Sequence, residues 1–202
     1  MLTLATALGG AAALPAQAAT PQPQMLDFKG ADLGMSLQAW KALPFPGRTN
    51  VAASPICTDD PSSARLDLAI SASEKQAGVI GCTYVFGPAD GAGPRHPVPL
   101  DDRLSADHVL YKFRGGRLVS ISYRTTVDAF DDIVARLTAE AGTPASVQRD
   151  QVSTALGTGM PRVRMSWRTP SGTAVLTDPS NQLNRLSVTL TTAAPNAAGA
   201  KT

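Results

Sequence analysis

The histidines and the carboxylates near them are the residues whose types could support catalysis or metal binding. The chain has two histidines, His96 and His108, and Asp101 and Asp102 follow His96 in a proline-rich loop. Imidazole and carboxylate groups bind divalent metals and act as general bases, so these four residues would form the site of a small hydrolase or metal-dependent enzyme. Asp107 directly precedes His108, but neighbours in a strand point to opposite faces, so these two would cooperate only where the strand is broken.

The sequence motifs do not strengthen this enzymatic interpretation. There is no Gly-x-Ser-x-Gly motif, and the glycine-rich segments lack the spacing of a phosphate-binding loop. Histidines that are solvated or hydrogen-bonded locally are the simpler explanation of the same residues. We therefore assign no catalytic residue, no metal ligand and no cofactor from the sequence, and keep the hydrolase or metal-dependent enzyme as an alternative.

The two cysteines have a spacing that suits a structural disulfide. Cys57 and Cys82 lie 25 residues apart, which excludes a redox-active Cys-x-x-Cys motif. With two histidines in the chain, a zinc site built from cysteine and histidine ligands is disfavoured. We predict a Cys57–Cys82 disulfide, which suits a protein exported to an oxidising compartment, and two buried free thiols are the alternative.

The N-terminal segment has the features of a secretory signal peptide. Residues 1–19 carry no charge and are rich in alanine and leucine, and Ala16-Gln17-Ala18 supplies the small residues that a signal peptidase accepts. We predict a signal peptide over 1–18 and a bacterial protein that is periplasmic or secreted, with no membrane span after cleavage. A flexible leader over 19–25 and a disordered tail over 193–202 would enclose a single domain over 26–192.

Hydrophobic patterning predicts a helix and four strands, followed by a second helix and four strands. Ser36 is a candidate N-cap for a first short helix, and an apolar stripe of period 3.6 predicts a second helix over 127–141. The expected strands are 65–71, 79–86, the two strands of a hairpin over 107–124, 145–149, 162–168, 173–178 and 185–191. This order suggests an internal duplication with halves 26–125 and 126–192.

The glycine-containing hairpin allows a prediction of register. A two-residue Gly115-Gly116 turn would set odd positions opposite even ones and mix the two faces. We therefore predict a three-residue loop, Arg114-Gly115-Gly116, which places Tyr111 opposite Val119 and the apolar residues of both strands on one buried face.

The alternation of apolar and polar residues also sets the expected fold class. Strands with one apolar face are typical of an antiparallel sheet that is covered on that side. The predicted fold class is α+β, a two-layer sandwich in which short helices pack on one face of an antiparallel sheet, with a tandem helix-plus-four-strand repeat.

The polar strand faces carry much of the positive charge of the chain, interleaved with serine and threonine. These cations are Lys112, Arg114, Arg124, Arg162, Arg164, Arg168 and Arg185. Arginine favours bidentate contacts with carboxylate or phosphate, so this face is a candidate partner-binding surface for an acidic partner. A solvated sheet face, whose charges discourage edge pairing, is the alternative.

Two short motifs resemble a known family. Gly34-Met35-Ser36 opens the first helix, and an aromatic-x-Gly-Gly-x-Leu-Val hairpin runs from Phe113 to Val119. The combination resembles the small exported domains of the BamE (SmpA/OmlA) type, whose fold is shared with the β-lactamase inhibitor protein. The resemblance implies short helices on an antiparallel sheet, sometimes in tandem, and a protein that works by binding other proteins.

Composition narrows the function class further. Eighteen Lys and Arg against 16 Asp and Glu give a net charge of +2, far below the basic excess of a dedicated nucleic-acid binder, which disfavours that class. We expect a non-enzymatic exported binding protein, an envelope accessory or inhibitor-like, whose partner is another envelope protein or an anionic envelope component. Besides the enzyme, a carrier of a small ligand between sheet and helices is an alternative, although the few aromatic residues favour a filled core.

Overall fold

A large antiparallel sheet dominates the structure of this chain. The computed structural model describes residues 26–47, 52–66, 68–87, 93–153, 157–180 and 184–193. Strands account for 50% and helices for 19% of the residues that the structure describes. The predicted signal peptide and leader, and the predicted tail from residue 194 onward, lie outside the described residues.

The strands and helices of the described residues are numbered in chain order. The strands are β1 Asp27–Phe28, β2 Ala31–Asp32, β3 Ala53–Cys57, β4 Val79–Phe86, β5 Val98–Pro99, β6 Ser105–Arg114, β7 Arg117–Thr126, β8 Ser146–Ser153, β9 Gly159–Thr169, β10 Gly172–Asp178 and β11 Arg185–Thr192. The α-helices are α1 Leu37–Lys41, α2 Ala72–Gln76 and α3 Phe130–Ala141, and 3₁₀ turns occupy Pro61–Arg65 and Val127–Ala129.

The strand order joins two meanders through their last strands. Eight strands follow the order β3-β4-β6-β7-β11-β10-β9-β8, β5 pairs with β6, and β1 and β2 form a separate hairpin. Strands β7 and β11 pair antiparallel in the middle of the sheet. This order is the one expected when two four-stranded units pair edge to edge, and the duplication with halves 26–125 and 126–192 stays a prediction.

The predicted α+β sandwich is wrong, because the helices do not form a layer. The nine-stranded sheet is accompanied by three short helices, and α1 and α2 have five residues each. Helix α2 buries no residue, and its Glu74 contacts Lys112, whereas Trp40 of α1 contacts Tyr111, the preceding residue of β6, on the other side of the sheet. The fold is mostly β, since α1 and α2 are too short to cover four strands, and α3, with 12 residues, is the longest helix of the described residues.

Aromatic rings fill the core on the apolar side of the sheet. The Ser36 hydroxyl accepts a hydrogen bond from the Ala39 backbone N–H, which caps α1 as predicted and directs Trp40 inward. The Trp40 ring lies 4.8 Å from the ring of Tyr111 and 5.2 Å from that of Tyr84. The space between α1 and the sheet, where a carrier would hold its ligand, is therefore occupied by side chains.

The β6–β7 hairpin has a different turn from the one predicted. Gly115 and Gly116 have φ angles of 57° and 72° and form a two-residue turn, with Phe113 opposite Leu118. A β-bulge then shifts the register, so that Tyr111 faces Ile121 rather than Val119. The predicted register is wrong because the bulge restores the buried face after the short turn, and Leu118 is buried where Val119 was expected.

The strand predicted over 65–71 is also wrong. Ala69 has a φ of 49°, which interrupts an extended chain, and residues 58–66 and 68–78 form what we call the cover segment. This segment packs on the outer side of β4 and β6, where a Cβ at Gly81 would lie 2.7 Å from Ile70. Strand β3, which the patterning missed, takes the edge position beside β4.

The predicted disulfide is confirmed. Cys57 and Cys82 are bonded to each other at directly opposed positions of β3 and β4, and both are buried. A disulfide is compatible with a protein outside the cytoplasm. In the part of the chain that the structure describes, no helix combines the length and the apolar character that a membrane crossing requires.

Candidate functional site

The outer side of the sheet is only half covered. The cover segment lies over β4 and β6 and reaches as far as Lys112, whose ammonium group contacts Glu74 at 2.6 Å. Beyond it, no described helix packs over the outward sides of β9, β10 and β11, and their outward residues are half-buried or exposed. We call the outward residues of β7, β9, β10 and β11 the open face.

The open face is a lattice of hydroxyl groups with cations at its margins. Cross-strand pairing arranges its residues in three rungs that run across the strands. The first rung is Ser120, Thr191, Thr173, Arg168, and it continues to Lys112 of β6 at the edge of the cover segment. The second rung is Ser122, Thr189, Val175, Ser166. The third rung is Arg124, Ser187, Thr177, Arg164.

All seven cations predicted for the polar face lie on the outer side of the sheet, but acidic neighbours neutralise three of them. Lys112 pairs with Glu74, Arg162 donates from Nε to Asp150 Oδ1 at 2.8 Å, and Arg185 lies 3.2 Å from Asp107. These partners come from the cover segment, from β8 and from β6. Asp107 and Asp150 lie on strands β6 and β8 beside the cations that they neutralise, and these pairings were not expected from the sequence.

The remaining cations keep the open face positive. Within the described residues, Arg114, Arg124, Arg164 and Arg168 have no ion-pair partner, and Arg114, Arg164 and Arg168 are exposed. Arg114 is the last residue of β6 and lies beside α2, where it lines a cavity together with Thr191. Because Arg114 is on β6 and outside the open face, the unpaired positive charge of that face is at Arg124, Arg164 and Arg168, at the ends of two rungs.

The structure does not assemble the predicted enzymatic group from the two histidines and their aspartates. His96 is buried between Phe86 and Phe45, with ring centroids 4.0 and 4.3 Å away, and its Nδ1 contacts the carbonyl oxygen of Pro97 at 2.7 Å. Its Nε2 is buried and has no hydrogen-bond partner among the described residues. His96 is thus part of an aromatic cluster at the edge of the core.

Asp101 has a local structural role. Its Oδ1 accepts hydrogen bonds from the backbone N–H groups of Arg103 and Leu104 at 2.7 and 2.8 Å, and these bonds lower the pKa of its carboxyl group. Asp102 is exposed in the same turn. The carboxylate of Asp101 is therefore used to close a loop.

The described residues offer no better candidate for a metal site than the histidines and aspartates predicted from the sequence. The one set of three or more ligand atoms that lie within 4.8 Å of one another there is Cys57, Asp59 and Asp60. The Cys57 sulfur is already bonded to Cys82, and the Asp60 carboxylate accepts a hydrogen bond from the Cys57 backbone at 2.7 Å. This cluster is explained by the disulfide and the turn that follows it.

His108 lies where the strand is interrupted. The register of β6 shifts between Asp107 and Leu110, and His108 has a φ of 50°, a value that non-glycine residues seldom adopt. The condition under which Asp107 and His108 could face the same site is therefore met, and both line one cavity. The sequence signal for this break was absent, because Val109 and Tyr111 continue the alternation through it.

Two adjoining cavities meet at His108 and share Ala69, Arg95 and Arg124 in their walls. One has a volume of about 570 Å³ and the other of about 250 Å³. The smaller one extends to the hydroxyl-bearing residues Ser122 and Ser187. We call these joined cavities the His108 pocket, and it adjoins the end of the third rung. Arg95, from the loop before β5, was not expected from the sequence to belong to a site.

The charges in this pocket act on the imidazole. Burial and the nearby guanidinium of Arg124 lower the pKa of His108, and Asp107 opposes the effect. Arg95 Nη1 lies 3.4 Å from His108 Nδ1. A guanidinium only donates, so Nδ1 is the acceptor and the proton of the neutral ring is on Nε2. The described wall of the pocket thus presents two guanidinium groups and an imidazole together with the Asp107 carboxylate.

The comparisons with known proteins identify no relative of this chain. No family model, no curated protein and no solved structure matches it. Fold and site define a mostly β protein with a half-covered sheet, and the resemblance to the BamE type stays a prediction.

Proposed function

We propose that this protein is an exported, non-enzymatic binding protein of the bacterial envelope that recognises an acidic protein partner on its open face. The single observation that carries the proposal is the uncovered lattice of hydroxyl groups with cations at the ends of its rungs. Export to the periplasm or beyond is supported by the uncharged, alanine-rich N-terminal sequence and by the Cys57–Cys82 disulfide.

The dimensions of the open face suit a protein surface. Arg124 and Arg164 end one rung and are separated by Ser187 and Thr177, which is three strand spacings or roughly 14 Å between Cα atoms. Arginine side chains at that separation fit carboxylates spread over a partner surface. The hydroxyl groups between them can donate or accept hydrogen bonds, which suits the polar groups of a folded partner.

The charge arrangement favours an acidic partner over a neutral one. Glu74, Asp107 and Asp150 neutralise cations at the margins, so the attraction is directed to Arg124, Arg164 and Arg168. Complementary charge of this kind increases the association rate and selects among partners more than it adds affinity. The resemblance to BamE-type domains, which bind other proteins, points in the same direction.

The experiment is capture of partners from an envelope extract by the mature protein and by charge variants. Arg164→Ser/Arg168→Ser removes two cations from the open face. Arg103→Ser/Arg149→Ser is the matched control, because Arg103 is in an exposed loop and Arg149 is an exposed residue of β8 outside the open face. We expect the first variant to bind the captured protein about tenfold more weakly, in a salt-dependent manner, and the control to bind like the wild type.

Three results would contradict the proposal. The first is equal partner binding by both double variants, which would leave the open face without a role. The second is capture of an anionic envelope polymer, with protein recovered only through that polymer. The third is an activity lost in a His96→Ala/His108→Ala variant, which would favour the hydrolase instead. Circular dichroism spectra of all variants establish that each is folded.

A further inference from the structure

A recess lies where the open face meets the cover segment. Helix α2 forms its wall, the ends of β6 and β11 and the beginnings of β4 and β7 form its floor, and its volume is about 450 Å³. We call it the α2 recess, and the lining residues that matter for its chemistry are Glu74, Ala77, Val79, Lys112, Arg114 and Ser120. The segments that line it all lie within the described ranges 68–87, 93–153 and 184–193. It is on the outer side of the sheet and is distinct from the filled space between α1 and the sheet.

The local sequence explains why the recess forms. Ser71 caps α2 through a capping box, and Gly78, with a φ of 70°, turns the chain directly from the helix into β4. Val79 then pairs with Arg114, the last residue of β6. A tight connection between helix and strand therefore places α2 beside the end of β6.

Glu74 holds Lys112 in place without using all of its donors. Glu74 Oε2 accepts a hydrogen bond from the Ser71 backbone N–H at 2.9 Å, and Oε1 accepts one from the Lys112 ammonium at 2.6 Å. These bonds lower the pKa of Glu74 to about 2, so the carboxylate is ionised at neutral pH. An ammonium group has three donors, and Glu74 takes one of those of Lys112.

Arg114 gives the recess its uncompensated charge. It is exposed and has no ion-pair partner within the described residues, whereas Lys112 and Glu74 neutralise each other. A guanidinium forms bidentate hydrogen bonds with a carboxylate, and the Ser120 hydroxyl, opposite Lys112 on β7, adds a donor. One uncompensated cation suits a monoanion, because the ionised Glu74 on the wall opposes the second charge of a dianion.

Apolar side chains occupy the rest of the lining. Ala77, Val79 and Val119 line the recess, and the two valines are half-buried. A short aliphatic chain that covers them removes apolar surface from water. The recess therefore combines one uncompensated guanidinium group with methyl groups.

We propose that the α2 recess binds a small monocarboxylic acid, with its carboxylate on Arg114 and Lys112 and its aliphatic part against the apolar residues of α2 and β4. This inference goes beyond the proposed function and does not rest on it, because Arg114 is outside the open face and a small acid needs no protein partner.

The experiment is a nuclear magnetic resonance titration of the ¹⁵N-labelled mature protein with butyrate, at constant ionic strength. We expect saturable shifts of the backbone amides in 73–79 and 112–120, with a Kd of about 1–10 mM. Acetate should bind about fivefold more weakly because it lacks two methylene groups. Butylammonium, which has the same chain and the opposite charge, should not bind.

Charge variants test which residues hold the acid. Arg114→Ser should weaken butyrate binding by about 10- to 100-fold, the effect of one charge-assisted hydrogen bond. Arg149→Ser is the matched control, because Arg149 is an exposed arginine of β8, at the far end of the sheet, and should leave the affinity unchanged. Circular dichroism spectra establish that each variant is folded.

A second pair of variants tests the wall. Ala77 is exposed, so Ala77→Asp and Ala77→Asn differ in the charge that they add to α2. The added carboxylate should weaken butyrate binding about threefold relative to Ala77→Asn.

Four results would overturn the proposal. They are the absence of a saturable shift at millimolar butyrate, equal binding of butylammonium, an Arg149→Ser variant that loses as much affinity as Arg114→Ser, and equal affinities of the two Ala77 variants. Equal affinities for acetate and butyrate would overturn the placement of the aliphatic part. None of these results bears on the open face, whose test is capture of a protein partner.

Discussion

Reduction of the Cys57–Cys82 disulfide should lower the stability of the whole domain by an amount that follows from the loop it closes. The two cysteines are 25 residues apart and join the edge strand β3 to β4, and the cover segment lies in the loop between them. Closing a loop of that length removes unfolded-state entropy equivalent to about 3.5 kcal/mol at 25 °C. We expect the free energy of unfolding of the oxidised protein to exceed that of the reduced protein by this amount.

The assay is equilibrium unfolding in urea, with and without a phosphine reductant, followed by tryptophan fluorescence. Trp40 and Trp167 are both buried, in the first and the second predicted half of the domain. Single-tryptophan variants, Trp40→Phe and Trp167→Phe, therefore let each half be observed separately. Both rings belong to one continuous core, so both probes should show the same midpoint and the same shift on reduction.

The control is Cys57→Ala/Cys82→Ala, whose stability should be insensitive to the reductant and no greater than that of the reduced wild type. A difference below about 1 kcal/mol between oxidised and reduced wild type would refute the loop-entropy reasoning. A shift seen by Trp40 but not by Trp167 would refute the single domain over 26–192 and show two halves that unfold independently.

Three other substitutions test the cover segment and the β10–β11 pairing, one of them as a control. The hydrogen bond from Lys112 and a backbone hydrogen bond lower the pKa of Glu74 from 4.5 to about 2, so this stabilisation is fully present above about pH 5 and is lost as the pH falls towards 2. Glu74→Gln keeps an acceptor and removes the charge; in urea unfolding it should cost about 1 kcal/mol at pH 7, because the pair is partly exposed, and clearly less at pH 2, where about half of the Glu74 carboxyl groups are protonated. An equal cost at both pH values would show that the ion pair is not the cause. Gly172→Ala would place a methyl group against the carbonyl oxygen of Thr191 and should lower the free energy of unfolding by about 2–3 kcal/mol. Gly116→Ala, at a φ of 72° in open space, should cost about 1 kcal/mol, and equal losses for the two glycines would contradict the steric argument.

Local features were predictable because they depend on residues that are close in sequence. The Ser36 cap of α1 acts three residues along the chain, and the apolar stripe of α3 repeats every three or four residues and places Ile133 and Leu137 in the core. Alternation identified β4, β6, β7 and β9–β11 for the same reason. The disulfide followed from the number of cysteines and their spacing, and the structure confirms it.

The candidate sites were predictable only in part. Strand phase placed Arg124, Arg164 and Arg168 on the outer side, since side chains alternate along a strand whatever its neighbours are. Their ion pairing was not predictable, because the partners are remote: Lys112 meets Glu74 38 residues away. A Ser-x-x-Glu capping box, Ser71 to Glu74, was an available sequence signal for α2.

The sequence by itself determined the local elements, the disulfide pair and the polar phase of the strands, because spacing along the chain is enough to specify them. The tertiary structure alone decided that β3 rather than 65–71 forms the edge strand, that a bulge resets the β6–β7 register, and that Arg95 and Arg124 meet at His108. Each of these depends on contacts between segments distant in sequence, where packing of the core selects among pairings that local preference leaves equivalent.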